Sequence, residues 1–253
     1  MSPTTEPLCH TATGKPGGTH SHELFIVATI GLMVCWILQH TGADLWVADR
    51  LFLWQGKHWA ARNAWWATDV LHSGARKLAI FCWIVLLLAW LASSRSRLPA
   101  QWRGSLGYLV STLPVSNVVL GMLKRFSGVD CPWDLLRYGG TREFLPIFSG
   151  QASGDPPGAC FPAAHAGIGY AWVALWFALH GARPAWRYTA MGMALALGAL
   201  FGVTQQLRGA HFLSHDLCSL TLCWLVAALM ARLWSGRTGR NPAAGGTAAE
   251  SAR

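Results

Sequence analysis

The stretch KLAIFCWIVLLLAWLAS, Lys77–Ser93, holds no charged side chain between its two ends and shows no polar stripe at helical spacing. A helix on the surface of a soluble domain keeps such a stripe for water. A helix apolar all round belongs in lipid or in a large core, and crossing about 30 Å of hydrocarbon needs roughly 17–25 residues. Five more runs have comparable length: Glu23–Gln39, Gly104–Leu123, Ala164–His180, Tyr188–Thr204 and Leu217–Trp234. With 53% apolar residues, 15 Trp and only 12% charged residues, a 253-residue chain has too little polar surface for a compact soluble fold. The fold class expected is therefore all-α, an integral membrane bundle of six transmembrane helices with a long outer loop between helices 3 and 4. Its domains would be a disordered tail over 1–20, a membrane domain over 21–234 and a second disordered tail over 235–253.

The third run carries Ser111, Thr112, Pro114, Ser116 and Asn117. In lipid these groups need partners, so this helix is expected to face the bundle interior, kinked at Pro114. The first run lacks a basic flank and an Ala-x-Ala-like exit, which makes it an anchor and not a cleaved signal peptide. With a cytoplasmic N-terminus, loops 40–76, 124–163 and 205–216 lie outside, and the arginine-bearing short loops at Arg95, Arg97, Arg103, Arg183 and Arg187 lie inside. For a chain expected in a bacterial inner membrane, that orientation puts the outer loops in the periplasm. The formal charge of +9 forms no stripe, so nucleic acid is not an expected partner and anionic headgroups are. Trp46, Trp54, Trp59, Trp65 and Trp66 fall in loop 40–76 and suit a short amphipathic segment lying on the outer surface. Oligomeric state leaves no signal.

Polar residues able to meet an anion gather at three junctions between an apolar run and an outer loop. Lys124-Arg125 ends the third run, with Cys131-Pro132-Trp133-Asp134 beyond it. Pro162-Ala163-Ala164-His165 opens the fourth. Arg208-Gly209-Ala210-His211 precedes the sixth, followed by Ser214-His215-Asp216. Four cysteines, Cys35, Cys82, Cys218 and Cys223, sit inside apolar runs as small hydrophobes. Cys131 and Cys160 share the long outer loop, where they either form a disulfide or remain free thiols.

The three clusters resemble the signature of the type 2 phosphatidic acid phosphatase superfamily, which also includes bacterial acid phosphatases and vanadium haloperoxidases. Its pattern is K-x6-R-P, P-S-G-H and S-R-x5-H-x3-D. Lys124 is followed after six residues by Cys131-Pro132, with Cys in the place of Arg; Ala163-Ala164 replaces Ser-Gly; Thr204-Gln205 takes the S-R place, with Arg208 three residues on. The Asp register falls on His215, with Asp216 next to it. The resemblance implies His211 as a covalent nucleophile and His165 as the acid, with Asp216 or His215 holding the far nitrogen of His211. Lys124, Arg208 and Arg125 would bind phosphate, and Arg125, Arg137 or Arg142 would stand in for the missing Arg. It implies neither cofactor nor metal. Chemically, cations neutralise the non-bridging oxygens, neutral imidazole attacks phosphorus, and a second histidine protonates the leaving oxygen. The expected reaction is hydrolysis of a lipid phosphomonoester or diphosphate. Phosphotransfer from a polyprenyl diphosphate would use the same residues, and a non-catalytic relic or transporter is the alternative outside enzymology.

Overall fold

The run Lys77–Ser93 lies inside a 28-residue helix, Trp66–Ser93 (α3), in the computed structural model, which describes residues 19–95, 99–147, 158–180 and 182–238. The first nine residues of α3, Trp66–Gly74, wind as a π-helix, and Ala75–Ser93 continue as α-helix. Residues 66–76 therefore do not lie along the outer surface as loop. Once Trp66 starts the helix, continuing it satisfies the backbone N–H and C=O groups that a loop in that position would leave exposed. The other elements are α1 (Thr19–His40), α2 (Ala43–Trp54), α4 (Ala100–Phe126), α5 (Ala164–Tyr170), α6 (Leu175–Ala178), α7 (Pro184–Leu207) and α8 (Leu213–Thr238). Among the described residues there is no strand, only isolated bridges at Gly128–Gly158 and Leu135–Arg142. Residues 1–18 and 239–253 of the expected tails lie outside the described residues, as does Phe148 of the outer loop.

Among the described residues, four helices can cross a membrane by length and composition: Trp66–Ser93, Trp102–Phe126, Pro184–Leu207 and Leu213–Trp234. The pair Ile26–His40 and Ala43–Trp54, bent by 63°, makes a fifth if counted as one span. Gly42, at φ 74, supplies the left-handed residue between its halves. The remaining apolar run, Ala164–His180, is broken into α5, a 3-10 turn over Ala171–Ala174 and α6. Its 15 residues reach about 24 Å at the usual rises of the two helix types. It can be that short because it is the bundle's central element, packed on α4, α7 and α8. The outward faces are apolar: Leu78, Phe81 and Leu88 on α3, Met193 on α7 and Leu229 on α8 are all exposed. Lipid is the solvent that accommodates such a surface.

Small residues let the central helix approach its neighbours. A Cβ on Gly169 would fall 2.5 Å from the Gly198 nitrogen of α7, and backbone there has no room to yield. Gly169→Val is expected to cost about 3 kcal/mol or more, read as a fall in melting temperature in detergent. The polar third run is settled in a different way from the one expected. Thr112 and Ser116 are buried toward the core, but Asn117 is exposed and donates to its own helix, at the Leu113 carbonyl, 2.9 Å away. Pro114 has no N–H for the Val110 carbonyl one turn back, and Trp83 of α3 donates its Nε1–H to that carbonyl at 2.9 Å. The lost backbone bond thus becomes an α3–α4 contact.

The first described part of the outer loop after α4 is anchored by a small cluster in which Leu135 and Tyr138 pack with Ala48, Trp59 and Phe212. Of the five Trp residues in segment 40–76, Trp59 is buried in this cluster, while Trp46, Trp54, Trp65 and Trp66 are exposed. Arg137 grips Asp49 through Nε and Nη2 at 2.7 and 2.6 Å, and the Tyr138 hydroxyl donates to the same carboxylate at 2.9 Å. Cys131 and Cys160 come together as a disulfide, with Cα atoms 5.3 Å apart.

Candidate active site

Each of the three polar junctions sits at a helix end, and backbone bonds pin them to one another. The Trp133 N–H donates to the Gly209 carbonyl at 2.9 Å, tying the loop after Lys124 to the turn before His211. The Ala163 N–H donates to the His215 carbonyl at 3.3 Å, tying the start of α5 to the first turn of α8. Gly209 takes φ 73 at the end of α7, and a Cβ there would meet the Trp59 indole at 2.5 Å, so only glycine fits this turn. Asp44 of α2, itself buried, accepts the Ser214 N–H at 2.9 Å and satisfies an orphan donor at the start of α8.

His165 and His211 are both buried, at 6% and 5% exposure, and Lys124 is half-buried beside them. Burial holds the His211 imidazole well below the ordinary histidine range; the charges of Lys124, His215 and His165 push the same way, and the Cys160 backbone opposes them. At neutral pH the ring therefore keeps a free lone pair, as a nucleophile requires. The charges of Lys124 and Arg208 also reach His165. The structure thus brings Lys124, His165, Arg208 and His211 to one site. His165 Nε2 lies 2.8 Å from the Leu71 carbonyl. A carbonyl only accepts, so Nε2 carries the hydrogen and Nδ1 is left for chemistry.

The support expected for His211 is only partly present. Asp216 is turned to α7, where Gln206 Nε2 donates to it and where it packs against Gly202. His215 stands nearer to His211, ring centroids 5.7 Å apart, but Nδ1 of His211 and both nitrogens of His215 are buried without a hydrogen-bond partner. Asp216 therefore does not orient His211. A step of one residue turns a helical side chain by about 100°, and the carboxylate's partner lies on the other side.

The arginines divide as well. Arg208 donates from Nη1 to the Gln205 Oε1 and from Nε to the Arg62 carbonyl, both at 3.1 Å. It thereby covers the Gln205 position, where the resemblance expects arginine. Arg137 is committed to Asp49 and Arg142 to Asp130, so neither replaces the arginine missing at Cys131. Arg125 is exposed, and its charge is not among those acting on His165 or His211.

Two contributors escaped the sequence reading. The π-helical start of α3 brings the Leu71 carbonyl to His165 and sets the His72 ring against it, centroids 4.3 Å apart. Extra-turn segments of this type are frequent at functional sites. Gln205 Nε2 then lies 3.3 Å from His72 Nδ1. The available signal was a histidine one turn before Arg76 at the mouth of the most apolar run.

Comparison with known proteins bears on the family and the fold. The family model of the PAP2 superfamily matches residues 105–238, a segment carrying all three junctions. No curated protein matches the chain. Among solved structures, the chain is similar to the first transmembrane PAP2-type phosphatidylglycerolphosphate phosphatase from Bacillus subtilis. The identity is 12% and the TM-score 0.55, over 87% of this chain and 98% of that one. At that identity the likeness speaks for the fold, a multi-pass membrane bundle. With a family model spanning more than half its length and the polar junctions gathered at one end of that bundle, the chain belongs to the PAP2 superfamily.

Proposed function

We propose that this chain hydrolyses a phosphomonoester or diphosphate carried on a membrane lipid, at the periplasmic face of a bacterial inner membrane. The observation that carries the proposal is that backbone bonds pin together the three junctions bearing Lys124, His165, Arg208 and His211, with both histidines buried there. In the first step the His211 lone pair attacks phosphorus and a P–N bond forms while the P–O bond to the lipid breaks. The departing oxygen takes a proton from His165, whose protonated ring the phosphate's negative charge attracts. In the second step His165 accepts a proton from water, the water oxygen bonds to phosphorus, and the P–N bond returns its electron pair to His211. Lys124 and Arg208 meet the non-bridging oxygens, supplying the positive charge the transition state needs.

A lipid substrate is supported by an apolar groove of about 370 Å³ lined by Arg76, Ile80, Trp83, Leu113, Asn117 and Ile168. Arg76 lies one turn from His72 and Ile168 one turn from His165, so the groove's upper end adjoins the site. An acyl or prenyl chain lying there would leave its phosphate at the histidines. Phosphatidylglycerol phosphate is the first candidate, since the structural neighbour is named for it; phosphatidic acid, undecaprenyl diphosphate and lipid A phosphates share the chemistry. Purified protein in liposomes should release inorganic phosphate from at least one of these, undiminished by EDTA. Folded protein silent on all four would overturn the proposal.

A further inference from the structure

We infer that His72 is a further phosphate-binding residue, presenting a neutral Nε2–H donor whose tautomer is set by a relay from Arg208 through Gln205; the inference rests on the phosphate chemistry proposed above. The relay has one possible polarity. A guanidinium only donates, so the atom of Gln205 facing Arg208 must be its carbonyl Oε1, 3.1 Å from Nη1. That fixes the amide and turns its NH₂ group toward His72 Nδ1, 3.3 Å away. Because NH₂ only donates, Nδ1 must be the lone-pair nitrogen, and the ring's hydrogen resides on Nε2.

Among the described residues no other hydrogen bond to the His72 ring is formed, and the side chain is half-buried, neither sealed in the core nor free in solvent. Its ring lies 4.3 Å from that of His165, and the charges of Lys124, Arg208 and Arg76 all act on it. A donor here is what this chain lacks elsewhere: Cys131 and Gln205 replace two arginines of the family pattern, and Ala163 replaces a serine. The Gln205 position thus contributes indirectly, passing the polarity of Arg208 to an imidazole on a different helix.

The test uses full-length protein in detergent micelles with ¹⁵N-labelled histidine. The His72 signals should report the Nε2–H tautomer, and titration with inorganic phosphate should shift them. Gln205→Met should release the tautomer lock and produce a mixture. In turnover, His72→Phe, which keeps the ring shape and removes the donor, should lose about tenfold to hundredfold in kcat/KM, the scale of a hydrogen bond to a charged group. His72→Gln, with an amide N–H near the Nε2 position, should restore most of that loss, and His58→Ala at an exposed site should match wild type. An Nδ1–H tautomer, no response to phosphate, or a fully active His72→Phe would each overturn the inference. If wild type releases no phosphate from any lipid yet phosphate shifts His72, the hydrolase proposal falls and the binding site stands. If release is normal and His72→Phe equals wild type, this inference falls alone.

Discussion

His211→Ala is expected to abolish phosphate release, lowering kcat by roughly 10⁴-fold or more, because it removes the atom to which phosphorus is transferred and not merely a contact to it. The variant should remain folded. His211 Nδ1 is buried without a partner, so truncation strands no donor or acceptor that now has one. Stability should also change with pH in a defined direction. The unfolded chain protonates this histidine near the ordinary value of 6.5, while burial, foremost, holds the folded form well below it. Between those two values the unfolded state binds more protons, so folded stability falls as pH drops below about 6.5. His211→Ala should remove its share of that acid loss, visible in melting temperatures taken across pH 7 to 5. A variant that kept wild-type turnover would exclude His211 as the nucleophile whatever its effect on stability.

His165→Asn is expected to lower kcat on a lipid phosphate by roughly 10²–10⁴-fold, the usual contribution of a general acid or base. Its diagnostic feature is dependence on the leaving group. A lipid alkoxide is a poor leaving group and needs the proton from His165; p-nitrophenolate leaves without one. On p-nitrophenyl phosphate the first step should therefore be nearly intact in His165→Asn, while the second, which needs His165 as a base toward water, stays slow. A burst of nitrophenolate followed by slow turnover would be seen by stopped flow. Equal losses on both substrates, with no burst, would assign His165 to binding or packing instead.

How far the sequence could be read depended on whether a residue's role was local or relational. The apolar faces of α3, α7 and α8 were legible because lipid imposes its requirement on each helix separately. The placement of His165 and His211 was legible because each stands where an apolar run meets an outer loop, with cations at neighbouring helix ends; the chemistry proposed for them rests on that placement. The start of α3 was not: Asp69, His72 and Arg76 make residues 66–76 too polar to pass for a membrane span, yet they form its first turns. The breaks in the central helix were equally hidden, since the packing of Gly169 on Gly198 becomes apparent only when α7 is beside it. Asp216 was the better electrostatic partner for His211 on paper. One residue of helical rotation gives it to Gln206 and leaves His215 as the neighbour. Arg137 and Arg142 were plausible substitutes for the missing arginine until Asp49 and Asp130 were seen to hold them.

Covalent capture of phosphorus by His211 is the claim on which the mechanism depends, and it can be observed directly. Protein turning over a lipid phosphate, or His165→Asn mixed with p-nitrophenyl phosphate, should be quenched in alkali, where a phosphoramidate survives, then digested and analysed by mass spectrometry. A phosphate on the peptide containing His211, lost on brief acid treatment and absent from His211→Ala, is the predicted result. Sustained phosphate release with no adduct on that peptide would contradict the account.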